Sequence, residues 1–372
     1  MVEDELDAAG CGSMVVDLFH RTPRIIGAEE KILIDTDGRA SAVESAVGGV
    51  VLNHLGWAAV LGLKTGIFGK MGDDRNGEIL RGGMKRLGVE YHLSLDGSAS
   101  SFAAIFLDPQ GDRAIYMMRG ATAELKPSEI RSRHGQFIRR ARMVSTEISQ
   151  LPLATVVAIL SLAKKYGIPT VLDVDVPPSD ACPGLGSLAE LQRALKLATY
   201  LKPAKTAARE LVPAREPRKV AEQIRERYGS RVVFMTSGSQ GCVIAAEGVI
   251  EQIPAFKVKQ VDATGAGDAF MGGVLAGLRW GLPWAAIGRL GNAAGAVCVT
   301  RVGAFPRVSS CAKSASCTAA SCLKRIAQAP FPSWRGGSNR TAASLASRRR
   351  PTAVVSHAAR VLGPMRKSLS RL

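Results

Sequence analysis

The sequence predicts an α/β fold: a mostly parallel sheet with helices on both faces and a small separate β-sheet over one end. Three observations predict it. Strand-like runs alternate with amphipathic helices from residue 143 to 246, the pattern of a parallel sheet covered on both sides. The N-terminal third instead holds extended segments joined by polar turns. With 46% hydrophobic and 22% charged residues over 372 positions, the chain can bury a large core.

The elements follow in order. IIGAEEKILIDTDGRA and SFAAIFLDPQGDRAIYMM read as extended, with turns at Asp37-Gly38 and Gln110-Gly111-Asp112. They place the strands of the small sheet within about residues 24–45 and 97–120, where a lid would sit. Strands of the main sheet are expected at 143–147, 169–175, 198–202, 231–236 and 242–246. A helix over 151–166 carries Pro152 in its first turn and Gly167 after its end; another over 217–228 carries Pro217 and Gly229 in the same places. Proline costs nothing where the helix has no acceptor for an N–H, and glycine accepts the left-handed backbone that ends a helix.

Charge and cysteine content narrow the class. The formal charge is +17, but residues 307–372 hold 13 of the 49 Lys and Arg and no acidic residue. Residues 1–306 are left with 36 basic against 32 acidic side chains, so a nucleic-acid role rests on the tail alone. That tail, rich in Ser, Ala and Arg, is expected to be disordered. Seven cysteines without a CxxC pair and five histidines without metal-ligand spacing point to a reduced protein with no zinc site. The acidic start lacks the order of a secretory signal, and no apolar run reaches membrane-spanning length, so a cytoplasmic location is expected.

The segment Val261-Asp262-Ala263-Thr264-Gly265-Ala266-Gly267-Asp268 runs directly into an apolar helix, Ala269–Trp280. Small residues at 265–267 let backbone N–H groups approach an anion at a helix start. A carboxylate there is electrostatically unwelcome, which suggests that Asp268 accepts a hydroxyl proton. Taken alone, the segment reads equally well as a glycine-rich turn with an aspartate capping a helix. Gly265-x-Gly267 lacks the third glycine of a dinucleotide loop, Gly69-Lys70 lacks the Ser or Thr of a Walker loop, and no G-x-S-x-G exists.

VDATGAGDAFMGG resembles the C-terminal signature of the PfkB, or ribokinase-like, family of sugar and nucleoside kinases. Gly48-Gly49-Val50-Val51-Leu52-Asn53, followed by LGLKTGIFGKMGDDRNGEIL, resembles its N-terminal signature. The resemblance covers roughly 11–306 and leaves the tail without a counterpart. It implies a doubly wound domain with a β-sheet lid, and transfer of the ATP γ-phosphoryl group to a substrate hydroxyl. It implies Asp268 as base and the N–H groups of Gly265, Ala266 and Gly267 as anion hole. Asp17, Gly48, Gly49 and Asn53 match substrate-binding positions. Thr236, Gly238 and Gly241 match a T-x-G-x-x-G turn near ATP phosphates, and Asn292 lies in a helix like the adenine-side helix. Asp262 matches a loop that binds a monovalent cation, K+, in some relatives. A homodimer paired through the lids is a further expectation, as in many relatives.

One departure concerns Mg2+. The family's Asn-x-x-Glu motif, which helps organise the ion, falls on Ala204 and Ala207, with Glu210 displaced by one helical step. Asp173 and Asp175, two apart on one strand, are candidates for the missing charge. For the substrate, Arg119 resembles a cation used by relatives that phosphorylate sugar acids, and Arg113 is a second candidate. A neutral sugar and a nucleoside stay open, the latter with Phe102, Phe106 and Tyr116 as stacking residues. A catalytically impaired, ligand-binding pseudokinase is the non-enzyme alternative.

Overall fold

A computed structural model describes residues 5–34, 44–110, 112–301 and 303–305. The expected tail at 307–372 and the Asp37-Gly38 turn lie outside these residues. The main sheet has nine strands. In chain order they are β1 (Ala8–Cys11), then, after two strands of the small sheet, β2 (Val15–Arg21) and β3 (Glu44–Gly48), come β4 (Thr65–Lys70) and β5 (Val89–Ser94). The small sheet adds β6 (Phe102–Leu107) and β7 (Arg113–Met118). The main sheet continues with β8 (Val144–Glu147), β9 (Thr170–Val174), β10 (Tyr200–Pro203), β11 (Val232–Thr236), β12 (Cys242–Ala246) and β13 (Val249–Ile253).

The spatial order is β13-β12-β11-β10-β9-β8-β1-β4-β5, parallel from β5 to β11, with β12 antiparallel to both of its neighbours. After β1 the chain fills one side with β4 and β5, then crosses to fill the other. This reversal beside β1 is a topological switch point, where the carboxyl ends of the strands leave a crevice. Both faces are covered. Leu52, Leu55, Val274 and Leu290 are buried on one side; Val156, Leu160, Leu191 and Ile224 on the other.

The helices end where the sequence says. Helix Leu153–Lys165 starts after Pro152 and is followed by Gly167 at φ 71°; helix Pro217–Tyr228 ends at Gly229, φ 68°. The small sheet, in order β3-β2-β6-β7, differs from expectation in its first half. Residues 25–34 form no strand, because the chain turns at Gly27–Glu30 with Glu29 at φ 64°. The strands come instead from Val15–Arg21 and Glu44–Gly48, whose β-branched and aromatic content suits a pleated surface.

Two helices reach the crevice together. Helix Val50–Val60 lies against helix Ala266–Arg279, and a Cβ on Gly272 would stand 2.4 Å from Trp57 Cβ. A Cβ on Gly273 would meet Gly291 Cα of helix Trp284–Cys298 at 2.8 Å. Absent side chains thus set the spacing of three helices and bring position 53 to position 268.

Candidate active site

Helix Ala266–Arg279 begins at Gly265, whose φ of 74° is left-handed and whose added Cβ would strike Ala304 Cβ at 2.6 Å. Only glycine suits both the angle and the space. Asp262 shapes the loop before it: its carboxylate accepts from Thr264 N at 2.9 Å, Thr264 Oγ1 at 2.7 Å and Gly303 N at 3.1 Å. Among the described residues no acceptor takes the N–H of Gly265, Gly267 or Asp268. The Ala266 N–H instead turns back to Ala263 O at 3.3 Å, which makes it the weakest donor of the expected three. Together with the helix dipole these groups favour an anion.

Asp268 sits in that first turn with 15% of its side chain exposed, enough for one hydroxyl to reach it. Its Oδ2 accepts from Asn53 Nδ2 at 2.7 Å. Burial pushes Asp268 above the usual carboxylate range, while His54, Lys202 and the Asn53 hydrogen bond pull it part of the way back. Asn53 Oδ1 is buried and unpartnered among the described residues, an acceptor that costs about 1–3 kcal/mol until a donor meets it.

The start of helix Val50–Val60 explains how Asn53 is placed. Gly49, at φ 105°, has no side chain to cap the helix, and a Cβ there would lie 2.4 Å from Ser13 O. The cap comes from across the crevice, where Ser13 Oγ accepts from Val50 N at 2.7 Å. Ser13 N in turn donates to the buried Glu147 at 3.2 Å, which also takes Gln150 N at 3.1 Å. Gly48 stands beside Asp17: an added Cβ would fall 2.6 Å from its Oδ2. Burial, then the charges of Asp268 and Asp262, raise the Asp17 carboxyl to about 7.

Behind Asp268 lies a polar cluster of which sequence reasoning singled out Asp173 but missed His54 and Lys202. Lys202, 2% exposed, places Nζ 2.8 Å from both oxygens of Asp173. It also lies 3.1 Å from where a Gly267 Cβ would be, directly under the anion loop. His54, fully buried, contacts Asp173 Oδ2 and Ser145 Oγ. Burial alone would raise Asp173; the Lys202 charge and the His54 hydrogen bond outweigh it and hold Asp173 below its ordinary value. With the Lys202 ammonium on both oxygens of Asp173, this group is a balanced ion cluster and not a metal centre. The only sequence signal was a histidine beside Asn53 in an apolar helix and a lysine at the end of a buried strand.

The residues expected on the nucleotide side form a separate turn. Thr236 ends β11, Gly238 and Gly241 have φ of 55° and 88°, and a Cβ on Gly241 would stand 2.0 Å from Ile253 O. The Ser237 hydroxyl inside this turn is buried without a partner among the described residues. Thr236 bridges to Ala204 at the end of β10. The Asn292 amide donates to Ile253 O at 3.0 Å and Pro254 O at 3.1 Å, fastening the end of β13 to the 284–298 helix.

Arg119 hydrogen-bonds Gly184 O at 2.6 Å, at the rim of a pocket of about 220 Å³ shared with Ser149, Val176 and Asp180. Its hydrogen bond goes to helix Pro178–Leu185 and not to the Asp268 group. The Arg113 side chain lies outside what the structure describes. Ala204 and Ala207 present methyl groups, the latter fully buried, so they offer Mg2+ no ligand; Glu210 is engaged by Ser179 N and Oγ at 2.9 and 2.8 Å. Asp175, one residue past the end of β9, keeps one buried carboxylate oxygen without a partner among the described residues.

The aromatic trio does not build a stacking pocket with Asp17. Register pairs Asp17 with Ala103 and Ala103 with Met117, whereas Phe102, Phe106 and Tyr116 occupy the alternate positions. Alternation puts them on the other face of the lid. There Phe106 stacks on His20 at 4.9 Å and meets Tyr116 edge-on at 6.2 Å.

The chain is 29% identical over 295 residues to the ribokinase of Bacillus subtilis, covering 79% of this chain and 92% of that one. The fold is similar to that of Arabidopsis thaliana ribokinase solved with ribose and ATP, with TM-score 0.68, 22% identity and coverage of 81% and 94%. An adenosine kinase from Sinorhizobium meliloti is similar in fold too, at TM-score 0.67, 21% identity and coverage of 82% and 97%. The model of the pfkB family of carbohydrate kinases matches residues 11–310, and the chain belongs to that family.

Proposed function

We propose that the protein transfers the γ-phosphoryl group of ATP to a hydroxyl of a small sugar or sugar acid. The observation that carries this reading is the Asp268 carboxylate in the first turn of a helix around which the N–H groups of Gly265, Gly267 and Asp268 are unclaimed among the described residues. The substrate oxygen bonds to phosphorus, the bond from phosphorus to the ADP oxygen breaks, and the hydroxyl proton passes to Asp268. Gly265 and Gly267 N–H groups, with Ala266 as the weaker third, stabilise charge on the transferring group. Asp17 and Asn53 Oδ1 take the substrate's other hydroxyls, with Gly48 and Gly49 giving it room.

The turn at Thr236, Gly238 and Gly241 receives the nucleotide phosphates, and Asn292 serves it indirectly by holding residues 253–254. Mg2+ belongs to this reading only as a counter-ion of those phosphates, since Ala204 and Ala207 cannot ligate it. K+ at Asp262 would share a carboxylate already engaged with Thr264 and Gly303. Arg119 selects a sugar acid only by leaving Gly184. A sugar is favoured over a nucleoside because the aromatic trio lies on the far face of the lid from Asp17.

The test is ATP consumption across sugars, sugar acids and nucleosides by the native chain and Asp268→Asn. Turnover with one acceptor that falls at least ~100-fold in the variant supports the reading. Ligand binding with no turnover on any acceptor favours the pseudokinase instead.

A further inference from the structure

Helix Val50–Val60 turns two neighbouring polar side chains toward the crevice, Asn53 and His54, among buried Val51, Leu52, Leu55 and Trp57. Asn53 holds one oxygen of Asp268 directly. His54 is buried further back, with Nδ1 3.1 Å from Ser145 Oγ and Nε2 3.0 Å from Asp173 Oδ2. The partners fix which ring nitrogen carries the proton here. Lys202 places its ammonium 2.8 Å from both Asp173 oxygens, so this carboxylate is ionised and can only accept. The proton is therefore on Nε2. The same Nε2 lies 4.0 Å from Asp268 Oδ1, so one N–H sits between two carboxylates, bonded to the first and close to the second.

We propose that His54 is a positioning residue for the base: its Nε2–H, anchored on the Asp173–Lys202 pair, biases Asp268 toward the ionised form that accepts the substrate proton. This rests on the reading of Asp268 as that base. Asp268 needs such bias. Its one direct hydrogen-bond donor among the described side chains, Asn53, is neutral, and burial favours the protonated acid. The groups that face it electrostatically are His54 from the neighbouring helix, Lys202 from β10, Asp173 from β9 and Asp175 just past it, Asp17 from β2 and the Cys298 thiol. Of these only His54 and Lys202 act against protonation, and Lys202 is already paired with Asp173. An apolar side chain at position 54 would leave the carboxylates without the donor between them.

The test reads Asp268 itself and needs no substrate. In ligand-free protein carrying 13C-carboxyl aspartate, the Asp268 resonance is assigned by its loss in Asp268→Asn and titrated in native chain, His54→Leu and His54→Gln. The expected result is a midpoint raised by about one pH unit in His54→Leu, a tenfold change in ionisation at a given pH. His54→Gln, which keeps an N–H near the place of Nε2, should return most of the shift. An unmoved midpoint in His54→Leu overturns the proposal, as does an equal shift in both variants. Should His54→Leu not fold, His54→Asn replaces it, keeping only a donor toward Ser145; a shift there with none in Gln supports the proposal, and matching midpoints overturn it. Failure of the base reading shows elsewhere, as persistence of phosphoryl transfer in Asp268→Asn.

Discussion

At position 265 backbone angle and contact agree. Gly265→Ala places a side chain at φ 74°, which costs about 1–2 kcal/mol, and drives its Cβ into Ala304. The expected outcome is a melting temperature several degrees lower and a larger loss of turnover, since under the proposed function the same residue donates to the anion. Unchanged turnover in a folded variant would contradict its place in the anion hole. Asp17 carries a pH signature. Its folded carboxyl lies near 7 against an unfolded value near 4, so it is protonated in the native state at low pH. A raised carboxyl contributes stability that is full below about pH 4 and is lost as pH rises through about 7. Asp17→Asn should therefore remove about 2–4 kcal/mol of the decline between those limits, read by urea unfolding at pH 4 and pH 8. Parallel pH curves for the two proteins would exclude a perturbed Asp17. Asp268 and Gly265 were legible because their motif is contiguous. His54 and Lys202 were not, because each alone looks like core; Asp173 was singled out as a strand carboxylate, but its pairing with them depends on three separate elements coming together.

Among the elements, helix packing sets the site. Gly272 and Gly273 allow helix Ala266–Arg279 to touch both of its neighbours. Gly272→Val fills the space held by Trp57 and should cost about 1–3 kcal/mol as an overpacked core. Because the same contact sets the 2.7 Å reach from Asn53 to Asp268, turnover should fall with it. Full activity at reduced stability would separate the two. Strands β8 to β12 of the main sheet and the helix ends at Gly167 and Gly229 were readable from period and punctuation. The small sheet was less so. Residues 25–34 look extended by composition, but the chain turns at Gly27–Glu30, and the lid strand comes instead from VVDLFHR, just after the first strand. The far-face position of Phe106 and Tyr116 depends on cross-strand register, which a single sequence does not carry.

For the molecule as a whole, the switch point beside β1 gathers the carboxyl ends of β1, β8, β9 and β10 under a four-stranded lid. These ends carry Ser13, Glu147, Asp173 and Lys202 within or just past the strands, and the anion helix closes the group from above. The central claim is that Asp268 takes a proton during phosphoryl transfer. Its most direct measurement is ATP-dependent phosphorylation by the native chain and Asp268→Asn, starting with ribose and extending to other sugars and sugar acids. The account predicts transfer to one acceptor that drops at least ~100-fold in the variant, with sugar binding retained. Comparable transfer by Asp268→Asn would contradict it.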